Sequence, residues 1–402
     1  MSRLRPTYLL ATLLLASAAG AETPVDTDAI HRRVLELDSH ADVLLPDAAG
    51  KTPSQQVSLA QIAQGGLDAV VLAVAVGPGP RDAAGIAAAR QEADRKLGLI
   101  KAFIAENPQR VGLALTADAV ERLHRENRLA VIIAFQNARA IGADLSQIDR
   151  LYREGVRVFA FNHAGHNAFS DSSRPGKEPA SVNGGLSPLG RTAVAKLNDL
   201  GVLIDVSQLS GPALAQTLQL TRAPVAATHS AARALIDNTR NLSDAELDAI
   251  KANGGVIQVP PFASYLHQQD AASLAKVAAV RHEYGLTAES KAPLDGIDTL
   301  HEAKRKAFND AVKQAQSRGT LGEYVDHIDH IARRIGWQHV GVGTDFNHGS
   351  GVIGFDSEAD APNVTRELVR RGYDERQIAA IWGGNFLRVL RAAQAATAHT
   401  AP

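Results

Sequence analysis

Short apolar runs that stop at a polar or turn-forming residue recur along the chain, with helical patterns between most of them. The first, 35–42, is an alternating stretch that ends Asp38-Ser39-His40-Ala41-Asp42. The second, 67–76, is an almost unbroken Val/Ala/Leu run that stops at Gly77-Pro78-Gly79-Pro80. Continuous runs of this kind suit strands buried on both faces of a parallel sheet. Six more follow: 129–135 stops at Gln136, 156–161 at Asn162-His163, 202–207 at Gln208 and 224–228 at His229. The last two are 255–259, which stops at Pro260-Pro261, and 339–344, which stops at Asp345. Between them, helices are predicted over 83–106 (ended by Asn107-Pro108), 149–154, 189–200, 212–220 and 243–253. Ser243 with Glu246 three residues on reads as a capping box. A charged, mostly helical insertion is predicted over about 265–335, and helices over 362–371 and 374–390 finish the chain. The stretch 170–188, rich in Gly, Pro and Ser, reads as a long loop of the kind that often carries function.

Eight strands alternating with helices predict an α/β fold, a (β/α)8 TIM barrel. The alternative, an open doubly wound sheet, lacks a glycine-rich fingerprint after an early strand. Functional groups in such barrels sit at the C-terminal ends of the strands. Those positions here are His40, Asp42, Gln136, His163, Gln208, His229 and Asp345. In an extended strand, residues i and i+2 share a side, so His40 and Asp42 can address one metal ion with an imidazole and a carboxylate, both ligand types that suit zinc.

Composition narrows the setting. The 402 residues are 45% hydrophobic with a net charge of −1, enough for a large core and without the basic face that nucleic-acid binding needs. Residues 1–21 combine a basic start, a short apolar run and Ala19-Gly20-Ala21, the pattern of a cleaved secretory signal peptide. The mature chain is then 22–402, a single domain with no membrane span. With no cysteine in the chain, thiolate and disulfide chemistry are excluded, and the expected location is the periplasm. A homodimer is compatible with such a chain, although no dimer face shows in the sequence.

Taken together, Asp38-Ser39-His40-Ala41-Asp42, Asn162-His163 with Asp171-Ser172, Thr228-His229-Ser230-Ala231-Ala232 and Arg240-Asn241-Leu242-Ser243-Asp244 resemble the membrane (renal) dipeptidases. So do Gly341-Val342-Gly343-Thr344-Asp345-Phe346 and Gly383-Gly384-Asn385-Phe386-Leu387-Arg388. That family consists of zinc peptidases on amidohydrolase-like barrels. The resemblance implies a small-peptide substrate and a two-zinc site, with His40 and Asp42 on the first metal and His229 on the second. It further implies that His163 stabilises the oxyanion, Arg240 pairs with the substrate's terminal carboxylate, and Asp345 is both ligand and proton carrier.

Two positions depart from that pattern. Where the family has a metal-bridging glutamate this chain has Gln136, and where it has a second-metal histidine this chain has Gln208. Asp42 and Asp345 alone would leave two dications with a residual +2, whereas one dication is neutralised. An amide oxygen is a weaker ligand than a carboxylate or an imidazole, so one firmly bound zinc is expected rather than two, held by His40, Asp42 and Asp345. Arg139, three residues past Gln136, is a candidate to supply the missing positive charge. His166, His327, His330, His339 and His348 are expected in structural or rim positions. A metal-dependent dipeptidase is the expected function. A non-hydrolytic homologue that binds or tailors a peptide-derived metabolite, such as a siderophore precursor, is the alternative that the two glutamines favour.

Overall fold

A computed structural model describes residues 25–46, 55–288, 294 and 296–397, so the signal-peptide reading of 1–21 lies outside the described residues. Eight parallel strands follow one another around a barrel: β1 (Leu37–Asp42), β2 (Ala69–Ala75), β4 (Leu129–Gln136), β5 (Val156–Ala160), β6 (Leu203–Asp205), β7 (Ala226–Ala227), β8 (Val256–Val259) and β9 (Val340–Val342). The ends of the path meet just past β9, where Asp345 N–H donates to the His40 carbonyl (2.8 Å) and Asp42 N–H to that of Phe346 (2.9 Å). A ninth strand, β3 (Val111–Leu113), pairs with the start of β4 before β5 takes over that edge at Ile133. The apolar pattern missed it because a three-residue Val-Gly-Leu segment is too short to show a period.

The strands are buried on both faces, for two different reasons. Along β2, Val70, Leu72 and Val74 pack outward with Leu97 and Ile100 of the long helix Ala83–Glu106. The intervening Ala69, Val71, Ala73 and Ala75 share a cluster with Leu37, Ile132, Val158, Leu203, Ala226 and Val256. Only the barrel interior touches seven strands at once, so this second cluster is the lumen. Small inward residues on β2, three alanines and a valine, leave room for the larger Leu37, Ile132 and Leu203 from the other strands. Phe386 and Leu387 of the helix Asn385–Ala395 belong to the same cluster.

Most helices form where caps and apolar spacing place them. Ser243 and Glu246 make the reciprocal capping box ahead of the helix Asp244–Ala252. Within the region 265–335, helices Ala271–Glu283 and Glu302–Ala315 precede Leu321–Ile335, which packs on β9 and on the helix Asp244–Ala252. Segment 170–188 holds no helix or strand before the helix Pro188–Asp199 begins. It is organised by Asp171, whose carboxylate accepts from the backbone N–H groups of Val182, Asn183 and Gly185 and from Ser181 Oγ. Among the described residues no helix is long and apolar enough to cross a membrane.

Glycines near the end of β9 allow a close approach across the lumen. A Cβ on Gly343 would lie 2.2 Å from the Thr228 carbonyl oxygen and 2.8 Å from Ser39 Oγ. Backbone on one side cannot yield, so Gly343→Ala is expected to cost about 2–3 kcal/mol of unfolding free energy, read from urea denaturation midpoints. An unchanged midpoint would show that the strand ends can separate.

Candidate metal centre and substrate cleft

Asp38 sets the geometry of the mouth. It is fully buried in β1, and its Oδ1 accepts from His40 N–H (3.1 Å) and Thr344 N–H (2.8 Å), while Oδ2 accepts from Thr344 Oγ (2.7 Å). One carboxylate thus fixes the residues that carry His40 and Asp345 on opposite sides of the barrel seam. The backbone around the mouth is itself strained. Asn137, Ala164, Gln208, Asp345 and Asn347 all have positive φ, and among the described non-glycine residues only Asn127 does so elsewhere. Such conformations cost of order 1–3 kcal/mol each and concentrate at functional sites.

The structure brings His40, Asp42 and Asp345 together, all buried, with one potential ligand atom of each within 4.8 Å of the others. His40 Nε2 and Asp42 Oδ1 lie 3.4 Å apart, and neither has a hydrogen-bond partner. Buried polar atoms of this kind are normally satisfied; a cation between them would satisfy both. Electrostatics agree. Burial opposes protonation of His40, yet Asp42, Asp345 and Asp205 together push its pKa up to about 9. Asp345 is shifted upward, burial being the main cause. These residues fit one metal ion.

A second ion finds a different setting. His229 stacks on His40 with ring centroids 4.0 Å apart, but its Nε2 has an amide nitrogen 3.2 Å away on each side, from Gln136 and from Gln208. The orientation of Gln208 is fixed from behind, because its Oε1 accepts from Ala164 N–H (2.8 Å) and Arg174 Nη2 (3.2 Å). Amide N–H groups donate, so His229 Nε2 accepts and Nδ1 carries the proton. That proton goes to Thr228 Oγ (2.8 Å), which donates to Asp205 Oδ2 (2.6 Å). Burial, reinforced by His40 and Arg240, holds His229 well below the ordinary histidine range and keeps it neutral. The trio His40, Asp205 and His229 also has metal-ligand spacing, but the Thr228 hydroxyl sits within 3.3 Å of all three.

His163 Nε2 lies 3.1 Å from His348 Nε2, and His348 Nδ1 lies 2.7 Å from Asp42 Oδ2. Burial works against a charge on His348, but Asp42 and Asp345 outweigh it and raise its pKa. His163 moves the other way, held well below its usual range by burial and by the His348 charge. His348 therefore donates from both nitrogens, and His163 keeps its proton on Nδ1, a buried atom with no partner. The expectation of a structural or rim position for His348 is corrected: it bridges a metal-ligand candidate and the oxyanion candidate. The available signal was its place three residues past Asp345.

Arg240 is buried after β7, with Nη2 donating to the His229 carbonyl (2.7 Å) and its guanidinium carbon 5.0 Å from the Tyr265 ring centroid. Its Nε and Nη1 have no hydrogen-bond partner. Arg139 does not stand in for a cation. Its guanidinium donates to the carbonyls of Gly77, Pro80 and Gly85 and so holds the loop between β2 and the long helix. The arginine that reaches Gln208 is instead Arg174, from the 170–188 loop, where no motif marked it.

The remaining histidines hold the scaffold. His166 Nδ1 accepts from Ser172 N–H (3.0 Å), His330 Nε2 lies 2.9 Å from Asp244 Oδ1, and His339 Nδ1 lies 2.8 Å from the Gly255 carbonyl.

Residues 26–401 match the membrane dipeptidase family, peptidase family M19. The chain belongs to that family. Among solved structures, the probable dipeptidase PvdM from Pseudomonas aeruginosa is 36% identical, with a TM-score of 0.83 over 92% of this chain and 98% of that one. A metallo peptidase from Rhodobacter sphaeroides, liganded with a phosphinate mimic of the dipeptide L-Ala-D-Ala, shares the fold at 21% identity and a TM-score of 0.70. That match covers 90% of this chain and 99% of the other. Among curated proteins, Dipeptidase tcpJ of Claviceps purpurea is 28% identical over 76% of the chain and Dipeptidase aclJ of Aspergillus oryzae 31% identical over 66%. The matches cover 60% and 52% of those two proteins, so the chain spans less than two-thirds of their length. The M19 barrel and the family's requirement for a metal thus accord with the His40, Asp42 and Asp345 cluster.

One histidine outside the centre generates a pH prediction. His327 is buried in the helix Leu321–Ile335, its Nδ1 accepts from Ala232 N–H (3.1 Å), and burial lowers its pKa to about 4. Its folded value lies below its unfolded one, so its contribution is complete above about pH 6.5 and is lost as pH falls toward 4. The full loss is about 3 kcal/mol. Urea midpoints measured between pH 7 and 4 should fall, with a shallower slope in His327→Gln; equal slopes would remove His327 as the cause.

Proposed function

We propose that this chain is a metal-dependent dipeptidase that works with one firmly bound metal, zinc being the expected ion, at His40, Asp42 and Asp345. The observation that carries this reading is the orphaned pair His40 Nε2 and Asp42 Oδ1, set beside a His229 whose free nitrogen is already occupied by two amides. The first trio would hold a divalent ion, which when bound would supply Lewis-acid activation of water. The chain's own residues do the rest. Arg240 supplies a fixed positive charge and unpartnered N–H groups at Nε and Nη1 with which to hold a terminal carboxylate. His163 presents its Nδ1–H to the oxygen of the scissile carbonyl and supports the developing negative charge. Asp345, its pKa raised by burial, takes the proton of the attacking water and passes it to the leaving amine. The leader pattern of residues 1–21 supports export to the periplasm as part of the same proposal.

The glutamine pair also favours a second reading, a family member that binds or tailors a peptide-derived metabolite, such as a siderophore precursor, without hydrolysing it. Elemental analysis of the purified mature chain, run beside a dipeptide hydrolysis screen, separates the two. One metal per chain with turnover is expected. Two metals with turnover would refute the single-ion centre, and no turnover after zinc is added back would leave the binding reading. In the double variant Gln136→Glu with Gln208→His, a bridging carboxylate and a free imidazole are restored, and the metal content is expected to rise from one to two.

Arg240→Met should raise KM by about 10- to 100-fold, the loss of a charge-assisted hydrogen-bonded pair, with a smaller change in kcat. An unchanged KM would place the substrate carboxylate elsewhere.

A further inference from the structure

A cavity of about 290 Å³ opens from His163 and His348 toward the loops that follow β2, β4 and β5. Arg240 follows β7 and Tyr265 follows β8, so this cavity lies across the mouth from the carboxylate-binding guanidinium. A dipeptide with its terminal carboxylate on Arg240 and its scissile carbonyl at His163 extends its amino-side residue into this space.

The wall beside His163 is cationic. Arg139, Arg174 and Lys177 line it, and Glu178 is the one carboxylate among the described lining residues. Glu178 is directed to Arg81, at 2.8 Å, and Asp171 is committed to its own loop. Arg139 is held by carbonyl oxygens rather than by a carboxylate, so its charge stands. Arg174 is anchored through Nη2 to Gln208, yet its Nε is buried without a partner. A half-buried guanidinium held by an amide oxygen, beside a second held by carbonyl oxygens, is a setting that favours an anion.

We infer that this cavity is a specificity pocket for an anionic group on the amino-side residue of the substrate, with Arg174 as its principal donor and Lys177 at its rim. The inference rests on the dipeptidase reading for the orientation of the peptide. It also gives the Gln208 position a second use, because a glutamine there accepts from Arg174 and holds its guanidinium at the cavity wall.

The test is the ratio of kcat/KM for Glu-Ala to that for Gln-Ala, each with L- or D-alanine, on the full metal-loaded chain. The pair differs only in the charge of the amino-side residue. A preference for Glu-Ala of about tenfold is expected, carried mainly in KM. Arg174→Gln, and the exposed substitution Lys177→Gln that leaves the loop anchor intact, should each lower the ratio by roughly threefold or more. A wild-type ratio at or below one, or a ratio that neither variant moves, overturns the pocket. If the wild type cleaves neither peptide, the dipeptidase reading fails on its own, and calorimetric titration with the same two peptides decides the pocket. Tighter binding of Glu-Ala that weakens in the variants supports it; equal affinities or no binding overturn it.

Discussion

A single buried carboxylate at the seam of the barrel holds the rest of the mouth in register. Asp38 makes three hydrogen bonds, one within β1 and two to Thr344 just past β9, and it is fully buried. Beside that clasp, the first strand and the segment after the last are joined by the backbone bonds of Asp42, Asp345 and Phe346, by Thr344 Oγ to the His40 carbonyl (3.1 Å) and by Asn347 Nδ2 to the Asp42 carbonyl (2.9 Å). Closure of the fold and convergence of His40, Asp42 and Asp345 are therefore one event. Burial makes the clasp expensive, since desolvation raises the Asp38 pKa to about 6, and the hydrogen bonds are what offset that cost.

From this clasp the site divides into two halves of unlike character. The half on β1 and after β9 holds two carboxylates and an imidazole, with His40 Nε2 and Asp42 Oδ1 facing each other unsatisfied. The half after β4, β6 and β7 is satisfied internally, because two amides donate to His229 and the Thr228 hydroxyl collects the imidazole proton for Asp205. Neutral donors directed at a neutral acceptor make a poor place for a dication. His348 then carries the polarity outward, linking Asp42 to His163 and fixing which nitrogen of His163 bears hydrogen.

Much of this was legible in the sequence, for identifiable reasons. Strands buried on both faces leave long apolar runs, and their polar stops at His40, His163, His229 and Asp345 mark the strand ends. Gln136 and Gln208 stood out as departures because the motifs around them were intact. Strand β3 was invisible, being three residues long. His348 and Arg174 were missed for another reason: their positions depend on turns after Asp345 and Asp171, and no periodicity records where a turn sends a side chain. Arg139 shows the converse. Its spacing from Gln136 suggested the metal centre, but Asn137 has φ of 86° and a 3-10 turn follows, and Arg139 is aimed at the neighbouring loop.

The left-handed backbone at Gln208 and Asp345 also bears on how such a site can change over time. The backbone there is tied to the barrel rim, the Gln208 carbonyl accepting from Ser173 N–H and Asp345 N–H donating to the His40 carbonyl across the β1 seam. A rim of that kind works as a set of sockets. A residue seated in one can be exchanged for another of similar length while the strand ends keep their places. Ligand identity and barrel architecture are thereby uncoupled, and a lineage can alter how many ions its barrel holds while keeping the same fold around them.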